Sequence, residues 1–239
     1  MKIEVLYPKQ CNIFGDGYNI KYLKECFKDK VTVYYTDINE EPKFVKEDID
    51  MIYMGSMTFK NQEKIVEVLK PYKKRLQELI EKDKIVLFTG DATEIVGDYI
   101  IDKDTNKKIE TLGLFPVHFE RSFYNRYNYF FLGDYKDIKI VGSASTFSRM
   151  YGENNYPFIN VKKGLGMADD NQKEGINYKS FYATYLIGPF LILNPLFTKE
   201  LLKKHKIKLA YEKDIMAAYK VRLAEMEDDN TRIIMGAHG

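Results

Sequence analysis

The residues most suggestive of chemistry lie in the stretch 84–97, KIVLFTGDATEIVG. A short apolar run at 85–88 stops abruptly at a Gly, which is typical of a buried strand in a parallel sheet. A strand, a sharp turn and the start of a helix form a nucleophile elbow, which presents one side chain at the strand's carboxyl end. Open α/β sheets place their binding sites at that edge. The tip of this turn is Gly90, which has no side chain. We therefore expect an elbow without a nucleophile.

Thiols and imidazoles are few, with two cysteines and three histidines. Cys11 falls in the loop after the first predicted strand, where we expect exposure, and Cys26 falls on an apolar helix face, which favours the core. His118 lies at a predicted loop edge, His205 in the basic run KKHKIK and His238 in the tail. A surface or hydrogen-bonded role is favoured for His118 over that of a relocated base. The scattered histidines predict no metal site.

Composition narrows the class of protein. The 239 residues suit one large domain, and 45% hydrophobic with 30% charged residues is ordinary for a globular chain. The net charge of +2 is too balanced to favour nucleic acid as a partner. No apolar run approaches the roughly 20 residues of a membrane span, and MKIEVLYP is typical of a strand rather than a signal peptide. We predict a cytoplasmic protein with no membrane span and no cofactor.

Strands alternate with helices in the first hundred residues. The patterns predict strands at 2–7, 31–35, 50–54 and 85–88, a helix at 18–27 capped by Asp16, and one long helix at 61–82 kinked at Pro71. Later segments predict strands at 99–101, 127–132, 138–141, 158–161 and 181–186, a loop at 164–175, and helices at 201–205 and 211–226. Such alternation predicts a mostly parallel central sheet flanked by helices, with an antiparallel extension. We expect one α/β domain over residues 1–228 and a frayed C-terminal tail over 229–239.

Four stretches resemble class I glutamine amidotransferase domains of the cobyric acid synthase type. They are LYPKQCNIFGDGYNI, DIDMIYMGSMTFKNQ, VLFTGDATEIVGDYI and KEGINYKSFYATYLIGPFLILNP. They run in order and with matching spacing through nearly the whole chain, and the glutaminase subunits of lipid II isoglutaminyl synthases are the most similar members. The resemblance implies a flavodoxin-like α/β fold.

The resemblance also implies where the family's catalytic residues would lie. The family's elbow reads Cys-Gly-Gly-Tyr-Gln, and its cysteine position matches Gly90 here. The family's histidine, in Tyr-Leu-His-Gly-Pro, matches Ile187 in the segment YLIGP. The oxyanion loop matches Gly55 and Ser56, and Arg149 alone remains of a His-Gly-Gly-Arg stretch. The catalytic positions are therefore degenerate.

Three function hypotheses remain open. Glutamine hydrolysis needs a thiolate and a base, and loss of both costs on the order of 10⁴ to 10⁶ in rate. The chain is then a binding or scaffolding subunit for a ligase- or synthetase-like partner. Alternatively, it is an active amidotransferase subunit of lipid II amidation or of a cobalamin-type synthetase, with rewired residues. A nucleotide-binding protein is disfavoured, because neither GxxxxGK[ST] nor GxGxxG follows a predicted strand.

Several residues carry two interpretations. Asp91 is either a helix N-cap or a ligand contact in the former glutamine pocket, and Arg149 is either a surface arginine or an anion-binding residue. With Gly55 and Ser56 they form the predicted ligand-binding set. The run RSFYNRYNYFF at 121–131 mixes arginine with aromatics, as single-stranded nucleic-acid platforms do. An antiparallel strand with outward tyrosines explains it more simply, and we expect it to be partly exposed within a protein interface.

Overall fold

The computed structural model describes residues 1–168 and 172–238. The strands are β1 (Lys2–Leu6), β2 (Thr32–Thr36), β3 (Met51–Met54), β4 (Ile85–Thr89), β5 (Tyr99–Asp102), β6 (Lys107–Glu110), β7 (Val117–Arg121), β8 (Arg126–Tyr135), β9 (Ile138–Thr146), β10 (Ser148–Gly152), β11 (Pro157–Lys163), β12 (Lys173–Tyr178), β13 (Phe181–Thr184) and β14 (Ile234–His238). The helices are α1 (Gly17–Phe27), α2 (Phe59–Leu69), α3 (Lys73–Glu81), α4 (Phe190–Leu193), α5 (Pro195–Leu201) and α6 (Glu212–Glu227).

The large sheet has a parallel half in the order β2-β1-β3-β4-β13. This is the strand order of flavodoxin-like folds. β4 lies between β3 and β13, and every residue of it is buried. The predicted central position of this strand is confirmed. Its continuous apolar run reflects burial on both faces by helices.

The same sheet continues as an antiparallel half. β12 pairs with β13, followed by β11 and β8, and β8 also pairs with β9 and β14. The predicted antiparallel extension is confirmed, but it does not include β5, which joins a second sheet of order β10-β7-β5-β6. The loop predicted at 164–175 is wrong at its end, where β12 begins at Lys173; residues 169–171 lie outside the described part.

Two predicted helices are wrong in detail. A 3-10 turn, Lys70–Tyr72, separates α2 from α3, because Pro71 has no N–H for the helical ladder. The buried face nevertheless continues from Leu69 to Leu76. After Gly90 the chain forms a 3-10 segment, Gly90–Val96, rather than an α-helix. The Val96 carbonyl accepts hydrogen bonds from the N–H groups of Leu114 and Phe115 and so does not continue a helix.

The C-terminal region also differs from expectation. The helix predicted at 201–205 is the end of α5 followed by a 3-10 turn, Lys203–His205. The expectation of a frayed end is wrong for Ile234–His238, which pairs with β8 as β14. The proposed division of the chain at residue 228 stays a prediction. Within residues 1–168 and 172–238, no helix has the length and apolar character needed to cross a membrane.

Candidate functional site

The carboxyl ends of β3, β4 and β13 bring the predicted catalytic positions together. Gly90 follows β4 with a φ of +61°, a conformation that favours glycine. A Cβ atom built on Gly90 would lie 3.4 Å from Ile187 Cγ2 and 2.0 Å from Ser56 Oγ. Of the positions expected to converge here, Gly55, Gly90, Asp91, Arg149 and Ile187, the structure places Gly90 beside Ile187, and Ser56 lies next to Gly90.

Ser56 fills the space that a side chain at position 90 would need. Its hydroxyl donates a hydrogen bond to Asp16 Oδ1 at 3.1 Å, and the other oxygen of Asp16 accepts the Phe14 N–H at 3.0 Å. Burial raises the pKa of Asp16, and these hydrogen bonds oppose the rise. The predicted helix cap is wrong, because the Asp16 side chain makes no capping hydrogen bond to α1. Asp16 instead fixes the Ser56 rotamer.

The preceding residue, Gly55, is glycine because the backbone comes close to its neighbours. A Cβ atom on Gly55 would lie 2.4 Å from Asp16 Cβ and 2.7 Å from the Cys11 carbonyl oxygen. Atoms do not approach each other this closely in a packed core, so a side chain does not fit at residue 55. The loop after β3 is thus held against the loop after β1 on one side and against Gly90 on the other.

A buried polar network lies beneath the elbow. The Tyr53 hydroxyl donates to the Asp16 carbonyl oxygen at 3.1 Å and accepts from Asn19 Nδ2 at 2.9 Å. Thr89 Oγ1 donates to Asp16 Oδ1 at 3.3 Å. Asn19 Nδ2 also donates to the Gly188 carbonyl oxygen at 3.2 Å, next to Ile187. Satisfied buried networks of this kind specify one arrangement of the core.

Asp91 does not cap a helix. It is half-buried, and no residue in the described part donates a hydrogen bond to its carboxylate. Burial raises its pKa strongly, and the nearby Glu94 and Asp16 add to the rise, whereas Arg121 opposes it. The capping interpretation is therefore wrong, and a role in ligand contact stays a prediction.

Sequence reasoning missed a bridge between α2 and the elbow. Gln62 Nε2 donates to the Asp91 carbonyl oxygen at 2.9 Å and to Glu94 Oε2 at 3.0 Å. Its Oε1 accepts from Arg121 Nη1 at 2.8 Å. Burial raises the pKa of Glu94, and Arg121 opposes that rise. The only available signal was a polar residue at a helix position that faces the core.

Glu174 anchors the strand end that leads to Ile187. Its Oε1 accepts the Tyr185 N–H at 2.7 Å, and its Oε2 accepts from Thr184 Oγ1 at 2.9 Å. Burial raises the pKa of Glu174 to about 7, despite the lowering effect of these hydrogen bonds. The carboxylate holds the segment before Ile187 through a backbone contact, so the position of residue 187 is set by the strand end.

Arg149 is buried, so the interpretation as a surface arginine is wrong. Only 6% of it is exposed, and its guanidinium carbon lies 5.2 Å from the centre of the Tyr127 ring. Burial raises the pKa of Tyr185, and the charge of Arg149 opposes that rise. An anion-binding role stays a prediction.

The cysteines and histidines do not supply the missing groups. Cys11 is buried rather than exposed, and burial raises the pKa of its thiol, so the thiol stays protonated near neutral pH. Cys26 is buried as predicted. His118 stacks on Tyr99 at 4.8 Å, and the side chain of His238 is outside the described part. Within residues 1–168 and 172–238, no group of three or more His, Cys, Asp or Glu side chains suits a metal ion.

Comparison with known proteins agrees with this geometry. Two relatives are lipid II isoglutaminyl synthase (glutamine-hydrolyzing) subunits GatD. The Streptococcus pneumoniae protein is 27% identical over 91% of this chain and 87% of its own length, and the Staphylococcus aureus protein is 29% identical over 81% and 79%.

Solved structures show the fold. A glutamine amidotransferase matches 84% of this chain and 97% of its own with a TM-score of 0.52 at 14% identity. A glutamine amidotransferase from Thermotoga maritima matches 94% of both chains with a TM-score of 0.54 at 11% identity. The model of the CobB/CobQ-like glutamine amidotransferase domain matches residues 2–194. Since this match covers most of the sequence, the chain belongs to the CobB/CobQ-like glutamine amidotransferase family.

Proposed function

We propose that this chain is an amidotransferase-like subunit that has lost glutamine hydrolysis and acts as a binding or scaffolding subunit. One observation carries the proposal: Ser56 Oγ occupies the space where a side chain of residue 90 would begin. The site therefore lacks a nucleophile at residue 90. In addition, the space beside Gly90 is filled by the Ser56 hydroxyl, which donates a hydrogen bond to Asp16.

The chemistry of the reaction supports this proposal. Attack on the glutamine amide needs a thiolate beside a proton acceptor. Gly90 has no side chain, and the hydrocarbon side chain of Ile187 accepts no proton. Cys11 lies near Gly55, but it is buried and its pKa is raised. Ser56 is also fully buried, so its hydroxyl does not reach a substrate.

The relatives support the role of a subunit. Both GatD proteins are named as subunits of a lipid II isoglutaminyl synthase. We propose that this chain pairs with a ligase- or synthetase-like protein in a related assembly. The second candidate is an active amidotransferase subunit of lipid II amidation or of a cobalamin-type synthetase, which membership of the family favours.

Ammonia release from glutamine separates the two candidates. We expect no release above background from the wild-type chain, alone or with a copurified partner. Gly90→Cys alone restores nothing because Ser56 blocks the new side chain, and Ile187→His alone still lacks a nucleophile. Adding Ser56→Gly to both changes makes room for the thiol, but Asp91 beside it disfavours the thiolate. We expect at most a trace of activity from this triple variant.

A GatD protein assayed in parallel is the positive control. Robust turnover by the unmodified chain overturns the proposal and supports the active alternative. Activity that survives Cys11→Ala and Ser56→Ala would in addition exclude both as the nucleophile.

A further inference from the structure

A cavity of about 600 Å³ lies at the amino ends of the parallel strands, opposite the edge that carries Gly90. It is formed between the end of α1, residues 25–30, and the loop 205–210. Its buried surface includes Phe27 and Leu209, and four exposed lysines lie around it: Lys28, Lys30, Lys206 and Lys208. The cavity thus combines an apolar floor with a basic rim.

The positive charges of this rim are not neutralised. In the part of the chain that the structure describes, none of the four rim lysines forms an ion pair, whereas nearby Lys204 pairs with Asp83. Among the described residues, the acidic side chains lining the cavity are Glu25 and Asp29, which leaves an excess of two positive side-chain charges over the four lysines. Like charges held together in a cleft raise the local concentration of anions.

The two segments of the cavity are fixed to each other. The Ala210 N–H donates to Cys26 Sγ at 3.3 Å, and the Tyr22 hydroxyl donates to the Ala210 carbonyl oxygen at 3.2 Å. The His205 ring packs edge-on against Phe27 with ring centres 5.7 Å apart. Burial lowers the pKa of His205, so this ring adds no charge near pH 7.

The carboxyl end of α1 explains only part of the basic rim. Cations are favourable near the last turn of a helix, which accounts for Lys28. Lys206 and Lys208 come from a loop more than a hundred residues later in the chain and are not explained in that way. Their approach to the same cavity indicates a site for an anion.

We propose that this cavity binds a phosphate-bearing ligand. Lysine binds phosphate as a point charge, and among the described residues the basic side chains around this cavity are lysines and one histidine. The floor around Phe27 favours a ligand with an apolar group next to its phosphate. This site does not depend on the proposed loss of glutaminase activity.

Titration of the full chain with inorganic diphosphate, followed by amide NMR, tests the site. We expect saturable shifts confined to residues 25–30 and 205–210. Lys206→Gln/Lys208→Gln should weaken binding about tenfold or more, since each exposed charge contact contributes a few-fold. Lys64→Gln/Lys74→Gln is the matched control, because both lysines are exposed, on α2 and α3, and neither forms an ion pair with a residue that the structure describes. Equal weakening in both variants, or no saturable binding, overturns the proposal.

Two further arms identify the source of the phosphate. Phenyl phosphate should bind more tightly than inorganic phosphate if the floor contacts the ligand. Sedimentation with phosphatidylglycerol vesicles, compared with phosphatidylcholine vesicles, distinguishes a lipid headgroup from a free ligand. Vesicle binding that is lost in Lys206→Gln/Lys208→Gln assigns the phosphate to a membrane lipid, and diphosphate binding without vesicle binding assigns it to a free small molecule.

Discussion

Ser56 and Gly90 share a space that holds only one side chain. A Cβ atom on residue 90 would lie 2.0 Å from Ser56 Oγ and 2.9 Å from Ser56 Cβ. Rotation of the hydroxyl would relieve the first contact, but it would break the hydrogen bond to Asp16 and leave the second. The two residues are therefore energetically coupled.

A double-mutant cycle measures this coupling. Gly90→Ala should lose about 2–5 kcal/mol of unfolding free energy, from overpacking and from the positive φ. In a Ser56→Gly background the same change should lose only about 1–2 kcal/mol, because the φ strain alone remains. Urea denaturation of the four proteins gives the coupling energy. Equal losses in both backgrounds would mean that Ser56 does not occupy the site in solution.

The pH dependence of stability should report Glu174. Burial raises its pKa in the folded chain to about 7 from an ordinary value of 4.5. A raised folded pKa means that the folded state binds the proton more tightly. Protonation of Glu174 therefore stabilises the folded chain. This stabilisation is present in full below about pH 4.5 and is lost as the pH rises through 7. Its size between pH 5 and 8 is about 2–3 kcal/mol.

The measurement compares urea unfolding of wild type and Glu174→Gln at pH 5, 6, 7 and 8. Between pH 5 and pH 8, the unfolding free energy of Glu174→Gln should fall by about 2–3 kcal/mol less than that of the wild type, because the variant has no carboxyl group to titrate. Glu225→Gln, at an exposed position on α6, should follow the wild-type profile. Parallel profiles for wild type and Glu174→Gln would contradict a titration of Glu174 in this range.

At the scale of elements, Arg121 joins β7 to α2. Its guanidinium is 2% exposed and donates to Gln62 Oε1 and to Glu63 Oε1 at 3.1 Å. Gln62 in turn contacts the 3-10 segment after Gly90. The small sheet is therefore connected to the elbow through one buried arginine and one amide.

Arg121→Met should destabilise the protein by about 3 kcal/mol, because removal of one partner leaves buried polar groups unpaired. Arg121 lowers the pKa values of Asp91 and Glu94. Its loss raises these values further, so the destabilisation should be larger at pH 8 than at pH 5. Unfolding at the two pH values checks this expectation. Arg126→Met, at an exposed position, serves as the control; a loss that is independent of pH would contradict the electrostatic role.

The turn between β7 and β8 presents aromatic side chains to solvent. Phe123 is 68% and Tyr124 75% exposed, whereas Tyr129 in β8 is buried. The predicted partial exposure of this segment is confirmed, and its role as an interface stays a prediction. Asp104 accepts hydrogen bonds from the Ser122 hydroxyl and the Phe123 N–H, so the turn is held in place before any partner binds.

We expect Phe123→Ala/Tyr124→Ala to weaken binding of the copurified partner about tenfold or more, as loss of exposed aromatic anchors does. The melting temperature should change little, since both side chains are exposed. Tyr35→Ala, an exposed aromatic on the edge strand β2, should bind the partner normally. Unchanged affinity of the double variant would place the interface elsewhere.

At the scale of the whole molecule, the parallel half of the sheet could be predicted because its signals are local. The run at 85–88 identified β4, and helical spacing identified α1 and α2. The small sheet could not be predicted in this way, since β7 pairs with β5 and with β10, which are distant segments. Pairing partners at such separations leave no periodic pattern in the sequence.

The site was predictable to a similar extent. The resemblance placed Gly90 beside Ile187, and the structure brings them together. The contacts of Ser56 with Asp16 and of Gln62 with Glu94 join residues 40 and 32 positions apart. These contacts depend on side-chain packing in three dimensions, which neither motif nor periodicity encodes.

The clash between residues 56 and 90 restricts the order in which substitutions could accumulate. On any route from a thiol-bearing family member, the present rotamer of Ser56 fits only after residue 90 has become glycine, since a Cβ atom there would overlap its hydroxyl. Once Ser56 is in place, reversion of residue 90 alone is sterically blocked. A thiol at residue 90 therefore requires Ser56 to change beforehand or at the same step, or an intermediate that carries the clash.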